Sequence, residues 1–177
     1  MGLISSIKSY FYNSTLNKHA KYLKNYGRKV INLNNAKNIG LLYNASNSDN
    51  VVAVTKFIEL FKNNDVKITS LAYLNEKIKA DSRPNYFNKN DINWYEIPFG
   101  EKINNFQKEK YDILICATVQ ECLPLEYLSA TSKASYRVGS YQKDKTEIYD
   151  FMINVNQQTD LNYFFKQVYN YLKNIES

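Results

Sequence analysis

The chain has 177 residues, of which 44% are hydrophobic and 23% charged, and its formal net charge is +6. That length and apolar content suit a single domain with a full core and exclude a wholly disordered chain. Two cysteines and one histidine supply neither a disulfide framework nor a zinc cluster.

No apolar run approaches the roughly 18 residues of a membrane span, and residues 1–11 lack the pattern of a cleaved signal peptide, so the expected compartment is the cytoplasm. Charge is unevenly placed. Up to Lys37 the chain carries Lys8, Lys18, Lys21, Lys24, Arg28, Lys29 and Lys37 and no acidic residue. The rest is nearly neutral, so the positive field belongs to the leading segment, where it suits an anionic partner.

In chain order, Leu3, Ile4, Ile7 and Phe11 recur at helical spacing, followed by Leu16, His19, Ala20 and Leu23. This predicts one helix interrupted near Asn13-Ser14, or two short ones, ending at Gly27. Residues 31–37 read as a connection, with Val30 to Leu33 open to a short strand. Ile39 to Tyr43 reads as the next strand, Asn44 to Asp49 as a polar loop, Val51 to Phe61 as a periodic helix and Val66 to Leu71 as another strand. Strand, helix and strand then make a crossover unit of the kind a parallel sheet requires.

Glu76 to Asn90 reads as a long loop or a loop around a short helix, Ile92 to Ile97 as a strand and residues 101–109 as a helix through Ile103 and Phe106. The run Ile113 to Ala117 has the continuous apolar character of a strand buried on both faces. Pro124 opens a helix, Ala134 to Val138 and Ile148 to Val155 are strands, and Asp160 caps a final helix carrying Leu161, Phe164, Phe165, Val168 and Leu172. The alternation predicts a three-layer, Rossmann-like α/β sandwich with a mostly parallel sheet. A basic helical segment, residues 1–29, precedes one α/β domain, residues 30–177.

Two stretches, NIGLLYNASNSDNVVAVTKFIELF and the series YDILICA, LEYLSATSKA and YRVGSY, resemble the amino-terminal Rossmann-like domain of heptosyltransferase-type glycosyltransferases. The resemblance implies sugar-nucleotide chemistry and sets Asp49 at that family's acidic catalytic turn, with Ser48 where the family carries glycine. A counterpart of the second, donor-binding domain of such enzymes is not expected, since one sheet and its helices account for these residues. In length and layout the chain also resembles small proteins of Bacteroidetes that begin with a basic helix and continue into an α/β domain.

No glycine-rich dinucleotide turn or phosphate loop occurs, and no serine or cysteine comes with a base and an orienting group. No cofactor or metal is therefore expected. Asn44, Ser46, Ser48, Asp49, Glu121, Arg137 and Gly139 form the candidate ligand pocket if the strand-end loops converge. Arg137 binds an anion there or pairs with Asp144 or Glu147. Cys116 reads as a core residue, and Cys122 as a loop thiol open to reactivity.

The leading expectation is a noncatalytic binding or scaffold protein. Lys18, Lys21, Lys24, Arg28 and Lys29 would contact an anionic partner, such as RNA or a ribosomal surface, and Leu3, Ile4, Ile7 and Phe11 would form an apolar docking face. Nothing points to a specific DNA partner. A degenerate or partner-dependent sugar- or nucleotide-handling enzyme and a peripheral protein of the inner membrane surface are the alternatives. The competing structural reading packs the same helix on its own sheet with its lysines in water.

Overall fold

A computed structural model describes residues 3–21, 27–78, 85–155 and 160–176. Helix α1, Leu3–Lys21, runs unbroken through Asn13-Ser14, which corrects the expected interruption. Asparagine and serine weaken a helix but remove no backbone donor, and Asn13 Nδ2 donates to Ser9 Oγ on the helix surface at 3.3 Å. Residues 27–37 contain no strand. Ile31 and Leu33 are buried, which imitates a strand's alternation, but Leu33 N donates to Leu172 O at 2.9 Å. Leu33 is thus tied to the last helix, while Lys29 N, at the segment's start, donates to Ser135 O at 3.1 Å without forming a ladder.

The expected crossover unit forms as β1 (Asn38–Asn44), α2 (Ser48–Glu59) and β2 (Lys67–Leu74). A further strand, β3 (Tyr86–Asn88), lies inside the stretch read as loop. Ile92 to Ile97, read as a strand, is a turn held by Asn93: its Oδ1 accepts from Tyr95 N at 3.1 Å and Ile97 N at 2.9 Å. That side-chain competition with the ladder favours turns over strands, and only one bridge, Ile92 to Pro98, remains.

Next come α3 (Glu101–Lys108), β4 (Lys110–Ala117), α4 (Leu123–Ala130) and β5 (Lys133–Ser140). The strand expected over Ile148 to Val155 shrinks to β6, Phe151–Ile153, because Ile148 N and Tyr149 N bond back to Lys145 O at 3.0 and 3.2 Å. Helix α5, Leu161–Asn174, is capped by Asp160, whose carboxylate accepts from Asn162 N.

The sheet order is β3-β2-β1-β4-β5-β6 and every pairing is parallel, an α/β architecture consistent with a Rossmann-like fold. Alternate strand residues feed two cores. Ile39, Leu41, Ile113 and Ile115 meet Phe57 of α2 and Phe164 of α5. Leu42, Leu114 and Cys116 meet Ile103 of α3, Leu125 of α4 and Tyr12 of α1. Continuous apolar strands follow, since both sheet faces are dry.

Gly139 lies within β5 and makes no turn. A Cβ there would come within 2.7 Å of the Tyr149 ring, so glycine is what lets that buried ring lie against the strand.

Candidate functional site

Two regions collect the residues singled out from the sequence. The first lies where β1 and β4 end side by side. Their chains leave in opposite directions, β1 toward β2 and β4 toward β5, and such a switch point opens a crevice at the carboxyl edge of the sheet. Here a cleft of about 330 Å³ is walled on one side by Asn44, Ser46, Asn47 and Asn50 and on the other by Thr118, Gln120, Glu121 and Cys122. Asn44, Ser46 and Glu121 of the expected pocket therefore do converge.

The others do not line it. Ser48 and Asp49 begin α2 and are exposed. Arg137 sits at mid-strand opposite Leu114, and Gly139 packs under Tyr149. Asn47, Asn50 and Gln120 join Asn44, Ser46 and Glu121 from the same strand-end loops, which the sequence marks by polar residues directly after an apolar strand.

Much of the cleft's polarity is spent on its own backbone. Asn44 Oδ1 accepts from Ser46 N at 2.9 Å, Ser46 Oγ accepts from Asn75 N at 2.7 Å, and Asn50 Nδ2 donates to Asn44 O at 2.9 Å. Asn47 caps α2 by accepting from Asp49 N at 2.9 Å. With that amide engaged and the Asp49 carboxylate in the first turn, the helix start is poorly suited to a pyrophosphate. Asn47→Ala should cost about 1 kcal/mol, read as a lower urea midpoint with the same slope.

Cys122 is buried, and burial pushes its thiol up to about 12, which keeps it protonated near neutrality and removes the nucleophilic thiolate. Cys116 is a fully buried core residue pushed up to about 12 for the same reason. Among the described residues no group of three His, Cys, Asp or Glu could hold a metal ion.

Arg137 is 1% exposed. The carboxylate expected beside its guanidinium is replaced by Ser132: Nη2 donates to the Ser132 carbonyl at 2.8 Å and Nε approaches its Oγ at 3.4 Å. Asp150 instead accepts from the Arg137 main-chain N at 2.8 Å. Burial, and next the nearby Arg28 charge, lower the guanidinium to about 10.

The second region is α1. One stripe fastens it to the body: Lys8 pairs with Glu96, Tyr12 OH donates to Leu123 O at 3.0 Å, Leu16 packs on the core and His19 Nδ1 meets Tyr127 OH. The neighbouring stripe, Ile4, Ile7, Phe11 and Lys18, has the same three-and-four spacing and therefore shares a different face. It stays outward, with Ile4 79%, Ile7 42% and Phe11 44% exposed.

Tyr10, 70% exposed, flanks this stripe. The ring of Trp94, 57% exposed, extends it by an edge contact to Phe11 at 5.4 Å. Nothing in the sequence marked Trp94 as a neighbour of α1, because the contact depends on the turn at Asn93. The Leu3 side chain and all of Lys24 lie outside the described residues.

Of the expected partner-binding cations, Lys18, Lys21 and Lys29 are exposed. Arg28 is engaged by the body instead: Nε faces Asp150 Oδ1 at 3.4 Å, and Nη2 donates to the carbonyls of Glu147 and Ile148 at 3.3 and 3.2 Å. A planar, multiply donating guanidinium gains more from such a cluster than from water. Among the described residues no helix is long and apolar enough to cross a membrane.

A family model described as "Family of unknown function (DUF6913)" matches residues 8–175. No curated protein and no solved structure gives a significant match.

Proposed function

We propose, for a chain that belongs to the DUF6913 family of unknown function, that it is a binding protein whose α1 outer face attaches it to an anionic lipid surface. The observation that carries this reading is the division of α1 into two stripes. The helix is fastened through Lys8, Tyr12 and His19, while Ile4, Ile7 and Phe11 remain in contact with water. Apolar side chains held outward on a pinned helix mark an interaction surface.

The composition of the face favours lipid over a phosphate backbone. Lys18 follows the apolar turns on the same face and Lys21 stands at its edge. Lysines alone would suit RNA, but Ile4 and Ile7 gain nothing from phosphates. An interfacial helix uses both, its apolar face entering the headgroup boundary while its lysines meet the anionic charge.

The magnitudes suit reversible attachment. Completing the burial of Ile4, Ile7, Tyr10, Phe11 and Trp94 contributes about 1 kcal/mol each, and each lysine near an anionic surface about 1 kcal/mol more. The sum of roughly 7 kcal/mol corresponds to a dissociation constant of about 10 µM before ordering costs.

The test is cosedimentation of the full chain with phosphatidylglycerol vesicles, with phosphatidylcholine vesicles and poly(U) RNA as comparisons. Binding to the anionic vesicles should fall at least about tenfold in the Ile4→Ser/Ile7→Ser double variant and also in Lys18→Glu, and should weaken with salt. RNA binding that is lost in Lys18→Glu but untouched by the isoleucine changes, with no vesicle binding, would assign the face to nucleic acid instead.

A further inference from the structure

Beneath the carboxyl half of α1, on the side away from its outward stripe, lies a cavity of about 460 Å³. It is bounded by α1, the end of α4, β5 and the segment before β6. Leu16, Ala20, Ala130 and Ile148 supply an apolar wall, and Lys21, Arg28, Arg137 and Glu147 supply the charges. Three cations against one carboxylate leave a surplus of two positive charges at the lining. Asp150 offsets part of it from behind, through Oδ1 on Arg28 Nε at 3.4 Å.

Arg137 sets the character of this space. A guanidinium carries five N–H donors in a rigid fork. Two of its nitrogens, Nε and Nη2, are engaged by Ser132, and the side chain lines the cavity. A second guanidinium, Arg28, stands close enough for its charge to act on the first. Two buried or half-buried guanidiniums converging on one cavity are costly unless an anion compensates them. An oxyanion offering several acceptors meets forked donors better than it meets single-point charges.

The geometry points to a binding site for a small phosphomonoester, its phosphate held by Arg137 and Arg28 with Lys21 at the rim and its organic body against Leu16, Ala20, Ala130 and Ile148. A phosphomonoester carries about −1.5 to −2 at neutral pH, opposite in sign to the charge that remains at the lining after Asp150. The volume falls in the usual range for small-ligand pockets. This site shares only Lys21, at its rim, with the lipid-binding reading, which is carried by Ile4, Ile7 and Phe11 on another face of α1, and either can fail without the other.

The test is calorimetric titration of the full chain with phenyl phosphate, inorganic phosphate, benzoate and phenol. Phenyl phosphate should bind saturably and more tightly than inorganic phosphate or benzoate, and phenol should not bind. Arg28→Gln and Arg137→Lys should each weaken phenyl phosphate by at least about tenfold. Glu147→Gln, at an exposed position, should tighten it by removing a carboxylate from the lining.

Tightening is a result that a purely structural role for these arginines would not produce, and it keeps the test open if an arginine variant fails to fold. Absence of saturable binding by the unaltered protein overturns the site. So does unchanged binding in all three variants. Benzoate binding as tightly as phenyl phosphate, or phenol binding equally well, overturns the phosphate assignment.

Discussion

Lys145→Ala is expected to destabilise the protein by about 3–5 kcal/mol. Glu126, in α4, is fully buried, with 0% of its surface exposed, and its Oε2 lies 2.6 Å from Lys145 Nζ. The same ammonium is 3.6 Å from Glu121 at the edge of the switch-point cleft. Truncating the lysine leaves a carboxylate in the interior with, among the described residues, the Cys122 amide, 3.3 Å from Oε1, to receive it. One backbone donor does not replace a counter-ion.

Urea unfolding should show the loss as a lower midpoint with little change in slope, and a thermal scan as a fall of about 10 °C. Glu126→Gln in the Lys145→Ala background should recover part of it, since a neutral amide needs no counter-charge. Lys62→Ala, which breaks the exposed pair with Glu59 at 3.1 Å, should cost no more than about 0.5 kcal/mol. Equal effects at Lys145 and Lys62 would show that Glu126 is not an interior ion.

Phe165→Ala should also cost about 3–5 kcal/mol, as an aromatic removed from a close-packed core. Its ring stacks on Phe57 of α2 with centroids 4.4 Å apart and planes 18° apart, and meets Phe164 edge-on at 5.7 Å. That contact joins α2 and α5 into the layer covering one face of the sheet. Phe165→Leu keeps most of the buried area and should cost only about 1–2 kcal/mol. A small, similar loss for both substitutions by urea titration would mean that the two helices are not coupled through this ring.

Elements marked by strong periodicity were legible. Helix α5 and strand β4 follow from the spacing of Leu161, Phe164, Phe165 and Val168 and from the unbroken run Ile113 to Ala117, because a helix with one dry face and a strand with two leave different apolar patterns. Where the reading failed, another interaction had claimed the backbone. Ile31 and Leu33 alternate like strand residues, but Leu33 N bonds to Leu172 O of α5, and Asn93 bends Ile92 to Ile97 with its own side chain. The short β3 carries too few residues to show a period.

The candidate sites were legible only in parts. Asn44, Ser46 and Glu121 could be expected at strand ends, because the carboxyl edge of a parallel sheet collects such loops. Arg137 was noticed, but its Ser132 partner could not be read from spacing. Gly139 was noticed as a pocket residue, but it does not line the cleft; its size matters against the Tyr149 ring.

Local order follows from the chain itself: the α/β alternation, the apolar strands, the capped last helix and the crowding of cations before Asn38 all derive from residues near one another in sequence. Tertiary structure alone decided which of two equally spaced stripes of α1 is fastened and which faces outward. Both stripes satisfy the helical period, and the choice depends on distant partners, Glu96, Leu123 and Tyr127, that are brought beneath the helix only when the sheet and α4 have assembled.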